Sequence, residues 1–385
     1  MHKVSLPIDD EFRGMVSEFL QSAGIINATS AAVATDEVKL YPTSKVAMVC
    51  RELLRSCGVR QDIADDVTAC LIETSLRGVD SHGVNLLPHY LEVVRGGRIN
   101  PNPNFKFTQT SPTTALLDAD DTFGHAAASF AMKKAIEMSR VSGSGFVSVY
   151  NSSHFGACSY YSLQAARENM IGIATTHTSS NMLSTHGSRP FLGTNPISFT
   201  FPCDGEDPVC LDMATTQVTG HHVKMAKESN QLMEGGVAVD SQGNITDDPS
   251  LVAALLPAGK YKGYGLGLVV EILCSLLPNI PFGRNIVSMS KAPMSQKRKL
   301  GHFVGAIDIG KFVAVDTFKK RLKELVTELR NEPSLDPSLP VMVAGDPEKQ
   351  AYEFRSKNGI PLALQTVGKI NDLIVTLGLP KDLLM

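Results

Sequence analysis

A chain of 385 residues, 43% hydrophobic and 19% charged, is long enough to bury more than one core and has the make-up of a globular enzyme. Its formal net charge of -3 gives no general reason to expect nucleic acid or an acidic membrane surface as partner, which leaves a small molecule as the expected ligand. Seven cysteines (Cys50, Cys57, Cys70, Cys158, Cys203, Cys210, Cys274) are odd in number and never form a C-x-x-C pair, which argues against a disulfide scaffold and a zinc knuckle.

The opening MHKVSLPIDDEFRG is too polar for a secretory h-region, and Asp9, Asp10 and Glu11 disfavour an amphipathic transit peptide. No apolar run reaches membrane-spanning length, so the expectation is a soluble, cytoplasmic protein. Residues 11–38 read as helical, with Met15, Phe19 and Leu20 on one face and Gly24 as a stop. Residues 45–76 read as helix in two pieces broken at Gly58. A short echo between EFLQSAGI (18–25) and ELLRSCGV (52–59) is of the kind that two amphipathic helices produce by chance.

RGVDSHGVNLLPHY (77–90) then places Ser81 and His82 just after a helical run, where an imidazole titrates near neutral pH and can move a proton. A lone histidine there is more often a cap or a packed surface residue, but NSSHFGACSYY (151–161) repeats the character with His154. Between them, residues 95–112 are rich in Gly, Pro and Asn and read as a linker, with a domain boundary near residue 110. Beyond it, strand-like runs at 114–118, 145–150, 171–176, 197–201 and 209–213, with a helix at 126–142, favour an α/β layer structure with a largely buried sheet.

LPAGKYKGYGLGLVVEILCSLLPN (256–279) opens on glycines and continues as an apolar helix from about residue 266 to 277. A helix start with free N–H groups and a nearby lysine suits a pyrophosphate, and a buried helix with a glycine hinge is an equally good reading. Its spacing matches neither phosphate-binding glycine motif. The last third reads as a strand at 303–309, an amphipathic helix at 318–330, a loop at 333–340, a strand at 341–344, the turn AGDPE (344–348) and a final helix at 362–377. There is no H-E-x-x-H and no G-x-S-x-G elbow, and the adjacent His221 and His222 would point apart, so no metal site is expected.

RGVDSHG (77–83), NSSHFG (151–156), GTNP (193–196), LDMATT (211–216), YKGYGL (261–266) and AGDPE, in that order, resemble the type 2 malate/L-lactate dehydrogenase family, from about residue 45 to the C-terminus. The resemblance implies a homodimeric NAD(P)-dependent oxidoreductase acting on a small 2-oxo or 2-hydroxy acid, with NAD as cofactor and NADP as the alternative. It implies a central mixed-sheet, non-Rossmann NAD(P)-binding domain (111–310) and a second α/β domain for substrate and dimerisation from both chain ends (43–110 and 311–385), preceded by a helical extension (1–42). Carried over residue by residue, His82 or His154 exchanges the proton at the substrate C2 oxygen, with Ser81 as orienting partner of His82. Thr178, Asp212, Met213, Ala214, Lys262, Gly345, Asp346 and Pro347 match cofactor-contact positions. Singly, Asp212 reads equally as a helix cap, Lys262 as a solvated charge and Met213 as core.

Two departures bear on the substrate. Relatives commonly carry a basic residue where this chain has Leu86, and a Gly-Lys pair where it has His221 and His222. Arg77, Arg189 or His89 would then have to hold the substrate carboxylate. The leading expectation is a malate- or lactate-type dehydrogenase. A cyclic-imine or diketo-acid reductase of the same fold, or a dinucleotide-binding paralogue without turnover, are the alternatives.

Overall fold

Gly58, at φ +81°, turns the chain between helices α1 (Thr43–Ser56) and α2 (Gln61–Leu76), which fold back on each other through Val46, Leu53, Leu54 and Leu71. These coordinates are a computed structural model that describes residues 38–228, 230–336 and 338–385. The expected helix over 11–37 lies outside the described residues. Val38–Tyr41 is not helical: it forms strand β1, antiparallel to the strand Ile360–Ala363 from the other end of the chain. Leu362, Ile370 and Ile374 accordingly enter the same core as the first two helices and helix α3 (Leu87–Arg95).

Seven strands build the main sheet: β2 (Lys106–Gln109), β3 (Thr114–Asp118), β4 (Ser144–Ser152), β5 (Met170–Thr176), β8 (Ile197–Cys203), β9 (Glu206–Met213) and β13 (Leu300–Asp308), in the order β2-β3-β4-β13-β5-β8-β9. Only β3 and β4 run parallel; every other neighbour pair is antiparallel. Helix α4 (Gly124–Ser142) covers one face with Ala127, Ala128, Ala131 and Ala135, small residues that let helix and sheet approach closely. A Cβ on Gly145 of β4 would come within 2.2 Å of the Ala135 carbonyl. Helix α5 (Ser159–Arg167) packs beside it through Tyr161 and Ala165.

A smaller sheet of β6 (Met182–Leu183), β7 (Pro190–Leu192), β10 (Ala238–Val239), β11 (Ile245–Thr246) and β12 (Ala254–Leu255) borders helix α6 (Gly220–Glu228). Its strands are too short to leave a period in the sequence. Helix α7 begins at Tyr261, earlier than the apolar pattern suggests, and runs to Glu271 before loosening into a π-turn at Ile272–Leu276. Strand β2 emerges within the expected linker, and the expected strand at 341–344 is absent. That segment makes one backbone bond to the sheet, Cys210 N to Ala344 O at 3.1 Å, and the Val343 N–H is taken by the Asp346 carboxylate at 3.0 Å. After helix α8 (Val315–Arg330) and helix α9 (Asp346–Asn358), the chain closes with β14 (Ile360–Ala363) and helix α10 (Leu364–Thr376), so the first two residues of the helix expected at 362–377 belong to a strand.

Strand direction decides where function can sit. In register, the ends of β4 and β5 and the starts of β13 and β8 align with the end of β9: Leu300 pairs with Ser152, His302 with Thr176, Thr175 with Ile197, and Ile197 with Met213. One rim of the sheet therefore receives the loops carrying His154, Thr178, Gly193 and Arg298, with Asp212 at the end of β9.

Candidate active site

His82 sits in the turn after α2, and three contacts fix that turn. Arg355 of α9, 2% exposed, holds the Asp80 carboxylate bidentately at 2.6 and 2.9 Å. The Ser75 hydroxyl accepts the Val84 N–H at 2.9 Å, and a Cβ on Gly83 would stand 2.1 Å from that same oxygen, so only glycine fits there. Ser81 Oγ lies 2.8 Å from His82 Nδ1.

His154 leaves the end of β4 and stacks on His82, with ring centroids 5.5 Å apart and planes 25° from parallel. Its Nδ1 lies 2.7 Å from the Tyr90 hydroxyl of α3. Tyr90 is 2% exposed, and burial raises its pKa well above 10, so the hydroxyl keeps its proton. That single proton has one hydrogen-bond partner among the described residues, His154 Nδ1, which fixes the neutral imidazole as the Nε2–H tautomer. Burial lowers the His82 pKa to about 4, with His221 of α6 adding repulsion, and burial holds His154 well below 6.5. Both rings are neutral at pH 7. Each keeps partial exposure, so a ligand can reach them.

Behind this pair stands a second layer that sequence reasoning missed. His125 is wholly buried, edge-on to Tyr90 at 4.8 Å, and neither ring nitrogen has a partner among the described residues. His302 bridges Ser152 Oγ and Thr176 Oγ1, each at 2.8 Å, and stacks on Phe155. His177 Nε2 accepts the Gly301 N–H at 2.9 Å, and Nδ1 faces Glu271 at 3.6 Å. None of these three histidines lies inside a segment the sequence singled out: His125 opens helix α4, and His177 and His302 stand at strand ends whose convergence needs the register.

On the same rim lies the candidate cofactor surface. Asn195, at φ 34°, accepts the Thr178 N–H at 3.1 Å and donates to Glu271 Oε2 at 2.8 Å and to the Gly267 carbonyl at 3.0 Å, which ties α7 to the end of β5. A Cβ on Gly193 would collide with Thr178 Oγ1 at 2.1 Å, and one on Gly263 would stand 2.5 Å from the Thr215 carbonyl. Lys262, next to Gly263 in the first turn of α7, has its side chain exposed. The N–H groups of this helix start are partly spent: Gly263 N–H bonds Ala258 O at 2.7 Å, so the lysine rather than a ring of free amides is the cationic feature.

Asp212 Oδ2 accepts the Ser159 N–H at the start of α5 at 2.7 Å, so it does cap a helix. The residue is nonetheless exposed, and protein crowding around the carboxyl lifts its pKa to about 6, a shift that solvent access moderates. Gly345, at φ +94°, abuts Cys210 two residues away, where a Cβ would lie 3.1 Å from the backbone. Asp346 beside it is engaged by Arg330 at 2.6 and 2.9 Å, which makes its side chain a brace for the turn. Arg77 is likewise spent on Glu73 and Asp207, at 3.1 and 3.2 Å, while Arg189 is exposed and His89 is held neutral by burial, its pKa lowered to about 4. Among the described residues no His, Cys, Asp and Glu group has metal-ligand geometry, and no helix is long and apolar enough to cross a membrane.

The malate/L-lactate dehydrogenase family pattern matches residues 41–371. A malate dehydrogenase of Pyrococcus abyssi is 34% identical over 336 residues, covering 85% of this chain and 91% of that one. A malate/(S)-sulfolactate dehydrogenase of Methanothermus fervidus is 32% identical, covering 84% and 93%. The crystal structure of malate dehydrogenase from Entamoeba histolytica superposes with a TM-score of 0.85 at 31% identity, covering 89% and 99%. Dehydrogenases of this family use NAD(P) nicotinamide cofactors and act on small hydroxy or oxo acids. With a mixed sheet, a shared rim and two stacked imidazoles in the matched region, the chain belongs to the malate/L-lactate dehydrogenase family of oxidoreductases.

Proposed function

We propose that this protein is a malate-type dehydrogenase, using NAD or NADP, in which His82 exchanges the proton of the substrate C2 oxygen and His154 donates a hydrogen bond to that oxygen. The observation that carries the reading is the stacked imidazole pair, each ring with its Nδ1 committed to a hydroxyl, Ser81 for one and Tyr90 for the other. Ser81 can accept from Nδ1–H of His82, which leaves Nε2 as a base. Tyr90 donates to Nδ1 of His154, which leaves Nε2–H as a donor.

The residues on the rim fit a dinucleotide. In this reading Thr178, Met213 and Ala214, at or beyond strand ends of the rim, contact the cofactor together with the Gly345-Pro347 turn beside β9, Lys262 offers a cation to phosphate, and Asp212 offers an acceptor to a ribose hydroxyl. When bound, the nicotinamide accepts hydride from C2 or returns it. In oxidation of a 2-hydroxy acid, His82 takes the hydroxyl proton as the C2–H bond breaks and the carbonyl forms. In reduction the same ring must first be protonated, and a bound anionic substrate raises its pKa toward that state. A neutral His82 is in the protonation state that oxidation requires.

Residues 43–110 with 311–385 form the substrate and dimerisation domain in this reading, and 111–310 the cofactor domain. The pairing of β1 with β14 and the shared core support that division, with α8 as a bridge whose Lys323 and Arg330 reach Glu206 of β9. Leu266, Val269, Ile272, Leu276 and Leu277 form an exposed apolar stripe along α7 and its π-turn, which supports a homodimer. A cytoplasmic site of action completes the proposal.

The test is purified protein with NADH or NADPH against oxaloacetate, pyruvate, a diketo acid and a cyclic imine, followed by loss of reduced-cofactor absorbance. Oxidation with oxaloacetate is expected, and His82→Gln should cut turnover by about 10²–10⁴ while His154→Gln, which retains an N–H donor, costs about tenfold. Turnover with the cyclic imine alone would replace the malate reading.

A further inference from the structure

Glu271 is a buried carboxylate that the proposed mechanism leaves unused. It ends α7 at 4% exposure. Its Oε1 accepts the Gly283 N–H at 2.8 Å, and its Oε2 accepts from Asn195 Nδ2 at 2.8 Å. His177 Nε2 accepts the Gly301 N–H, so the ring carries its one proton on Nδ1, which faces Glu271 Oε1 at 3.6 Å. Burial pushes the carboxyl up, but His177, the Gly283 N–H and Asn195 outweigh it and keep its pKa below the ordinary value, so the group is ionised at pH 7. Directly after Glu271 the helix gives way to the π-turn, where the Leu277 N–H reaches back to the Ile272 carbonyl at 3.3 Å, a distortion that helices keep mostly at functional positions.

An ionised carboxylate only accepts, and that decides how Asn195 is turned. Wholly buried, Asn195 aims its NH2 at Glu271 and the Gly267 carbonyl, which leaves Oδ1 for the Thr178 N–H at 3.1 Å. Thr178 Oγ1 in turn accepts the Thr194 N–H at 3.1 Å, so the segment after β5 is held at both its amide and its hydroxyl. We propose that Glu271 is a positioning residue of the cofactor surface: its carboxylate fixes the Asn195 amide with the oxygen toward Thr178, and so holds Thr178 in the conformation that receives the dinucleotide. An amide at position 271 cannot do this. Whichever way it turns, its NH2 meets either the Gly283 N–H or the Asn195 NH2, and turning Asn195 instead sets NH2 against the Thr178 N–H. The inference rests on the reading of Thr178 as a cofactor contact.

Cofactor fluorescence reads the effect without turnover, using NADH, or NADPH where wild type prefers it. Glu271→Gln should weaken binding about tenfold or more. Adding Asn195→Asp moves the carboxylate to the other side of the same contact: the introduced amide donates to the introduced carboxylate, which still accepts the Thr178 N–H. Only the Gly267 carbonyl loses its donor, so the double variant should recover to within about threefold of wild type. A Glu271→Gln protein that melts lower but binds the cofactor as wild type does would make Glu271 an anchor of α7 and overturn the proposal. So would a double variant that binds no better than the single one. If Glu271→Gln does not fold, the double variant decides alone: recovered binding supports the proposal, and a protein that is unfolded or binds no cofactor overturns it. Wild-type protein that binds neither NADH nor NADPH would overturn the cofactor reading itself, and this proposal with it.

Discussion

A tyrosine hydroxyl decides which way His154 faces chemically. With Tyr90 donating to Nδ1, the ring presents Nε2–H to a ligand; without it, the neutral ring is free to exchange tautomers. Tyr90→Phe should therefore lower kcat about tenfold or more with a smaller change in KM, and ring nitrogen NMR of the variant should show mixed tautomers at His154. Retention of a single Nε2–H form would refute the assignment. In the proposed mechanism the pH profile is set by His82. Its pKa is lowered to about 4, so kcat/KM for malate oxidation should be flat from pH 7 to 5 and decline only as pH falls through about 4. Reduction of oxaloacetate, which needs the protonated ring, should instead accelerate as pH falls from 7 toward 4. A limb near pH 6.5 in the oxidation profile would show that another group carries the proton.

At the scale of elements, close approach matters more than charge. Helix α7 lies against the 214–216 turn because Gly263 and Gly267 present no side chain there; a Cβ on Gly263 would stand 2.4 and 2.5 Å from the carbonyls of Ala258 and Thr215. Gly263→Ala should push the helix outward, cost about 1–3 kcal/mol of stability, and weaken NADH binding by displacing Lys262. Tight NADH binding unaltered in that variant, read by cofactor fluorescence, would remove α7 from the cofactor surface. The glycines of this helix were legible as a break in an apolar run, but their reason was not, since Thr215, Met182 and Leu192, which they approach, are distant in sequence. The long elements were legible for a complementary reason: α1, α2, α4 and the strands β3, β4 and β5 carry enough apolar periodicity to show themselves. The strand expected at 341–344 failed because the Asp346 carboxylate takes the Val343 N–H that a ladder would need. Ser81, His82 and His154 stood out through their local segments, whereas His125, His177 and His302 come together only through the sheet register.

Across the whole molecule, the site concentrates buried neutral histidines, and that has a thermodynamic consequence. Burial lowers His82 and His89 to about 4 and His125 to about 3, and holds His154 and His302 well below 6.5. In each case the unfolded chain binds the proton more readily, so the stability these groups allow is complete above pH 6.5 and is lost as pH falls toward their folded values. Glu206 acts in a lower window: Arg330, Lys323 and Lys349 hold its pKa far below 4.5, so its contribution is present above 4.5 and disappears beneath it. Asp212, raised to about 6, has the opposite sign, gaining stability as pH falls from 6 toward 3.8, though its exposure makes that gain small. The histidines therefore govern the range from 6.5 to 4.5. His125 can be isolated from them, because its ring has no exposure and neither nitrogen has a partner among the described residues. Over those two pH units it should account for about 2–3 kcal/mol of the loss, at about 1.4 kcal/mol per unit. His125→Leu removes a titrating group while keeping an apolar filling against Tyr90 and Phe123. Urea unfolding at pH 7.5, 6.5, 5.5 and 4.5 should show a shallower decline in the variant, with the two proteins converging or crossing on the acid side. Parallel curves would mean that His125 keeps its ordinary pKa.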